Sequence, residues 1–216
     1  MSYTIGTGYY DHPTSASLFK MWMANTKRFS QPSDIVVVNA AGRSREVDGG
    51  TWLNMRRNYG LALKLEKGEK YCGWWLSFML SALVAYHNGD DFIYKEQDCL
   101  AFGPWVDRLY TDAVRANTAA VVGQLKHEYQ VEISLVLVRR RSVLMLIDRY
   151  LSIPDTDFEL RPELKFLYIM KNQPNLVSYM TMGCGRNRPI PYDASCFYAQ
   201  KITEQELSEL SSRGLL

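Results

Sequence analysis

Two hydrophobic periods alternate along the chain. Ile35-Val36-Val37-Val38 is continuously apolar and β-branched, as in a strand buried on both faces, and Asn39 closes it. Before it, Leu18, Phe19, Trp22 and Met23 recur at helical spacing within Ser15 to Phe29, and Pro32 ends that helix. Tyr3-Thr4-Ile5 opens as a short strand that runs into a glycine turn, Gly6-Thr7-Gly8-Tyr9-Tyr10. Ala40 to Thr51, with Gly42, Gly49 and Gly50, reads as a polar loop. Helices are predicted over Asn54 to Lys67, closed by Gly68, and over Tyr71 to His87, ended by Asn88-Gly89.

Phe92-Ile93-Tyr94 begins a third strand, which the pattern carries through Glu96-Gln97-Asp98 until Gly103-Pro104 stops it. Val106 to Tyr129 is helix-prone but ambiguous. Ile133 to Val138 is a further apolar strand, and Ser142 to Ser152 and Pro162 to Met170 read as helices around an acidic loop, Pro154 to Glu159. Gly183 to Pro189 is a loop rich in glycine and arginine. Thr203-Glu204-Gln205-Glu206 has the spacing of a capping box and opens a C-terminal helix. Strands alternating with helices predict an α/β fold, a mainly parallel central sheet flanked by helices. With no internal repeat, residues 1–216 read as a single domain.

Charge narrows the partners. The formal net charge is +2, too balanced for a nucleic-acid surface, and the dense basic run Arg139-Arg140-Arg141 reads as a strand exit. Cys72, Cys99, Cys184 and Cys196 are scattered without metal-finger or disulfide-scaffold spacing, which favours a reducing compartment. The opening MSYTIGTGYY lacks the pattern of a signal peptide, and no stretch is long enough to span a membrane. A cytoplasmic monomer is the expectation.

The chemistry centres on Glu96-Gln97-Asp98. On a strand, residues two apart face the same way, so two carboxylates there call for a positive charge between them. A hard cation, Mn²⁺ or Mg²⁺, is the simplest candidate, although a solvated strand end has the same pattern. A glycine turn after a first strand suits a nucleotide, and so does Asn39 at a strand's C-terminal end. The dinucleotide fingerprint would need a third glycine where Asp11 stands. Arg186 and Arg188 offer guanidinium forks for phosphate. His12, His87 and His127 show no metal-ligand spacing, and only His12 lies near the glycine turn. The five tryptophans read as core; adjacent Trp74 and Trp75 cannot share a helix face, so at most one lines a cleft.

Taken in order, the strand and glycine turn, Asn39, Arg57-Asn58-Tyr59-Gly60 and the Glu96-Gln97-Asp98 element resemble a GT-A glycosyltransferase. More narrowly, YTIGTGYY and the compact length are similar to the N-terminal glycosyltransferase domain encoded by large chlorella viruses. The resemblance implies a GT-A-like domain with a nucleotide-binding part at about 1–105 and an acceptor-side part at about 106–216. It implies transfer of a hexosyl or deoxyhexosyl group from a UDP-sugar, such as UDP-glucose or UDP-rhamnose, to a glycan acceptor in viral capsid glycan synthesis. Asp98 and Glu96 would hold Mn²⁺ or Mg²⁺, Glu96 being a departure from the family's acid-x-acid aspartate. Thr4, Gly6, Thr7, Gly8, Tyr9, Asn39, Arg57 and Glu96 would bind the nucleotide. Arg186 and Arg188 would stabilise the leaving diphosphate; Glu132 and Glu163, then Asp155 and Asp157, are the carboxylates available as catalytic base. Two alternatives stand: a Rossmann-like enzyme using NAD or S-adenosylmethionine, and a non-catalytic carbohydrate-binding module.

Overall fold

The structure, a computed structural model, describes residues 2–9, 15–40, 50–55, 72–124, 131–153, 162–173 and 175–216. Its chain order is β1 (Tyr3–Tyr9), α1 (Ser15–Phe29), β2 (Asp34–Asn39), β3 (Thr51–Asn54), α2 (Cys72–Asn88), β4 (Asp91–Lys95) and β5 (Cys99–Phe102). There follow α3 (Trp105–Ala116), β6 (Ala120–Gln124), β7 (Val131–Val138), α4 (Val143–Leu151) and α5 (Pro162–Asn172). The described chain ends with β8 (Val177–Tyr179), β9 (Cys184–Gly185), β10 (Phe197–Gln200) and α6 (Glu204–Ser212).

Seven strands form one sheet in the order β3-β2-β1-β4-β7-β6-β8, and β5-β10-β9 form a small second sheet. Pairing is parallel throughout the large sheet except where β7 runs antiparallel to both β4 and β6. The mainly parallel α/β architecture read from the sequence is therefore present. The chain leaves β1 for β2 and β3 on one side, then returns to pair β4 on the other. The crevice at the C-terminal ends of β1 and β4 is thus a topological switch point, where open α/β sheets bind ligands.

Period-two alternation divides the core. Ile5, Ile35, Val37 and Ile93 face α1, α3 and the small sheet; Phe92, Tyr94, Val136 and Val138 face the side of α2, α4 and α5. In β7 the alternation slips. Ile133 belongs to the second core and Leu135 to the first, and the β6 pairing jumps between Val122 and Gly123. A β-bulge does this: it re-aims the residues on one side of it. Glu132 sits on the displaced stretch, opposite Gly123.

Several expected elements change identity. The turn at Gly6-Thr7-Gly8 is absent, since β1 continues through it to Tyr9. Its glycines serve packing: a Cβ on Gly6 would lie 2.4 Å from Ser81 Cβ, and one on Gly8 2.6 Å from Ser77 Oγ. The two serines stand one helical turn apart on α2, which is pressed against the strand. Gly6→Ala is expected to cost about 1–3 kcal/mol, read as a lower urea midpoint with an unchanged slope. Thr51 and Asn54, assigned to a loop and a helix start, form the edge strand β3. The ambiguous Val106 to Tyr129 stretch resolves into α3, which starts one residue earlier, and then β6, its last residues lying outside the described set.

At the opposite edge of the sheet, Asp90 collects the strand starts. Its carboxylate accepts from the Thr4 hydroxyl at 2.7 Å and from the Ser33 hydroxyl. Burial opposes its charge, but hydrogen bonds from Ser2, Ser33 and Thr4 win and hold the carboxyl below its ordinary 3.8. Such a group contributes stability above the unfolded pKa and loses it as pH falls through the folded one. Asp90→Ala is expected to cost about 1–3 kcal/mol at neutral pH, a deficit that shrinks in acid, checked by denaturation across pH.

Among the described residues, no helix is long and apolar enough to cross a membrane. Arg139 leaves β7 as the strand exit expected, pairing with Asp91 at 3.0 Å.

Candidate active site

The acid pair stands in a turn, which corrects its expected place on a strand. β4 ends at Lys95; Glu96 N–H donates to the Ser134 carbonyl at 2.8 Å, and Cys99 N–H closes the turn on the Glu96 carbonyl at 2.9 Å. The carboxylates still converge, because the next strand brings them a partner. β5 pairs antiparallel with β10 so that Cys99 lies opposite Gln200, setting Gln200 against the turn. Its Nε2 donates to Glu96 and to Asp98 Oδ1, the latter at 3.0 Å.

The register of the small sheet supplies the cation. Gly185 on β9 lies beside Ala199 on β10, so Arg186 emerges next to Gln200. Its Nε donates to Gln200 Oε1 at 2.9 Å, stands 3.5 Å from Glu132 Oε2, and its Nη1 stands 3.7 Å from Glu163 Oε1. Glu96, Asp98, Glu132, Glu163 and Arg186, distant in sequence, thus meet in one network. Gly185 adopts φ +58°, and a Cβ there would lie 2.9 Å from Glu132 Cγ and 3.0 Å from the Tyr198 hydroxyl. Its bareness lets Glu132 reach the guanidinium.

Electrostatics differ along the network. Burial, then the charges of Asp98 and Glu132, push the Glu96 carboxyl well above the usual range, while Arg186 and the Trp74 side chain pull it back. Burial also raises Glu132, against Arg186 and the Ser134 N–H. Glu132 is 1% exposed, and its Oε2 makes no hydrogen bond beyond the ion pair. Glu163, in the first turn of α5, is more accessible. On the other face of β4, buried Lys95 donates to Asn25 Oδ1 (2.7 Å) and Thr26 Oγ1 (2.9 Å), and burial lowers its ammonium to about 7.

Other expected residues fall elsewhere. Thr4, expected at the nucleotide, is tied to Asp90 at the far edge, and Gly6 lies under α2, packed against Ser81. Gly8 is likewise covered by Ser77, and the Thr7 hydroxyl, fully buried, turns to the Gly8 carbonyl. Tyr9 does reach the C-terminal edge, but its ring packs edge-on against Phe19 and Trp52. Asn39 stands at that edge as expected, its amide donating to Asn54 Oδ1 at 2.7 Å.

Arg188, expected over the phosphates, is engaged instead with Glu206 and the carbonyls of Gly185, Asn187 and Gln200. It fastens β9–β10 to the capping box of α6, which forms on Thr203 and Glu206 as the sequence spacing indicates. Arg57, Tyr10, His12, His127, Asp155 and Asp157 lie outside the described residues. Of the adjacent tryptophans, Trp75 is core, and Trp74 is the one that borders Glu96. Gln200 and Asn54 carry no motif; strand register alone identifies them.

The donors suit a hard cation. They are carboxylate oxygens converging on one point, yet among the described residues no three His, Cys, Asp or Glu side chains are grouped to hold a metal by themselves. A two-carboxylate site fits Mg²⁺ or Mn²⁺ whose remaining ligands come from substrate phosphates and water.

No protein-family model matches the chain, and no curated protein matches it. Solved structures do. The crystal structure of a glycosyltransferase involved in the glycosylation of the major capsid of PBCV-1 matches with a TM-score of 0.57 at 10% identity, covering 100% of each chain. The crystal structure of S. aureus TarS 1–349 matches with a TM-score of 0.52 at 11% identity, over 97% of this chain and 63% of that one. At these identities the likeness establishes the fold: a GT-A-like α/β fold found in glycosyltransferases. Within that class the chain resembles the PBCV-1 enzyme along its whole length.

Proposed function

We propose that the protein is a cation-dependent glycosyltransferase using a nucleoside-diphosphate sugar, with UDP as the expected carrier and a glycan as acceptor. One observation carries this reading: Glu96, Asp98, Glu132, Glu163 and Arg186 converge at the switch point of a glycosyltransferase fold. Glu96 and Asp98 would hold Mn²⁺ or Mg²⁺, which when bound supplies Lewis-acid charge beside the diphosphate. Arg186, its fork oriented by Gln200, Glu132 and Glu163, faces the charge that develops as the sugar departs. We assign the acceptor hydroxyl's proton to Glu163, the accessible carboxylate, and the holding of Arg186 to buried Glu132. A hexosyl or deoxyhexosyl donor and a viral capsid glycan acceptor complete the proposal; the PBCV-1 neighbour's part in capsid glycosylation motivates the latter.

The dinucleotide reading loses its motivation, because the glycine turn it needed is a continuous strand under α2. The binding-module reading rested on aromatic content, and most of those rings fill the two cores. The decisive experiment is a screen of UDP- and GDP-sugars, NAD and S-adenosylmethionine for thermal stabilisation, and of the sugars for turnover, with and without Mn²⁺. UDP-sugar stabilisation that requires the cation is expected; stabilisation only by NAD or S-adenosylmethionine would overturn the reading.

A further inference from the structure

Gln200 is 1% exposed, at the last position of β10, and its carboxamide joins the two halves of the site. A primary amide carries two N–H donors and one acceptor oxygen. Here the nitrogen serves Glu96 and Asp98, while the oxygen accepts from Arg186. This orientation is compelled by its neighbours. Turning the amide over would set its oxygen against the Asp98 carboxylate and its NH₂ against a guanidinium. Two carboxylates held close repel each other unless something of positive character lies between them, and Gln200 Nε2 occupies the point where they converge.

From this arrangement we propose that Gln200 is the positioning residue of the acid pair: its amide holds Glu96 and Asp98 together and must withdraw before both carboxylates can turn to a cation. The inference rests on the cation-dependent reading above and adds a linkage to it. The amide that releases the acids also releases Arg186 Nε, so one side chain frees the carboxylates and the guanidinium together. Bare cation must displace hydrogen bonds to charged groups and is held weakly. A nucleoside diphosphate brings further ligands for the cation and a partner for Arg186, which tips the exchange.

The test is Mn²⁺ binding without nucleotide, followed by electron paramagnetic resonance of the free ion, in wild type, Gln200→Leu and Gln200→Met. Mn²⁺-dependent UDP binding and thermal unfolding are measured in parallel. Gln200→Leu removes the competing donors and is expected to bind bare Mn²⁺ about tenfold tighter than wild type, the scale of a lost hydrogen bond to a charged group. Gln200→Met, close to the native length and likewise without the amide donors, is expected to tighten it by a similar factor, which secures the test if the leucine variant folds poorly. A structural role alone would lower the unfolding temperature without tightening Mn²⁺ binding. Unchanged or weaker bare-ion affinity in both variants, with wild-type UDP binding still cation-dependent, overturns the role of Gln200 and leaves the proposed function standing. Cation-independent UDP binding in wild type, with no Mn²⁺ bound by any variant, overturns both.

Discussion

Asp98→Ala is expected to abolish the effect of Mn²⁺ on UDP binding and to lower transfer by at least about 10³-fold. The magnitude follows from the several kcal/mol of charge stabilisation that a bound cation supplies, at about 1.4 kcal/mol per factor of ten. Like Glu96, Asp98 is partly exposed and stands outside the strands, and its described hydrogen bond is to the Gln200 amide. Its loss therefore leaves the fold intact, and circular dichroism and the unfolding temperature serve as controls. Calorimetric titration of UDP with and without Mn²⁺ gives the answer. Equal cation dependence in wild type and variant would remove Asp98 from the site.

Glu163→Gln is expected to reduce turnover by about 10²–10⁴-fold while leaving the donor's affinity close to that of wild type, as loss of a general base does. The carboxylate stands in the first turn of α5, 3.7 Å from Arg186 and on the accessible side of the network. The amide keeps the shape but cannot take the acceptor's proton. Glu132→Gln is the comparison. That buried carboxylate holds the guanidinium, so its loss is expected to weaken donor binding along with turnover. Unimpaired turnover in Glu163→Gln, with the large loss in Glu132→Gln, would exchange the two roles.

The parts of this fold legible in the sequence are those decided within a few residues. Ser15–Phe29, Tyr71–His87 and the capping box at Thr203 each declare themselves through local periodicity or spacing, and the structure places elements there. What stayed hidden depends on a partner. Gly6 and Gly8 look like a nucleotide turn until Ser77 and Ser81 are seen against them. The three-residue β8 and the four-residue β10 are too short for alternation to show, and their pairing partners lie far away in sequence. Gln200 could be found only through its register with Cys99. The acid pair was legible for an incomplete reason. The acid-x-acid spacing marked it out, but a turn and a distant amide, rather than the faces of a strand, bring the carboxylates together. Arg186 and Arg188, equal as sequence, are separated by where β9 ends: one enters the network, the other anchors α6.

The bare backbone of β1 under α2 has a mechanical consequence. With no side chain to hold it off, the helix works as a lever resting on Gly6 and Gly8, and its leading turn carries Trp74 to the border of Glu96. Adding one methyl group at position 6 would tilt that lever and lift the indole, loosening a wall of the acid turn from several residues away. Positions 6 and 81 therefore form a matched set, and in related chains bulk gained at one should be given up at the other.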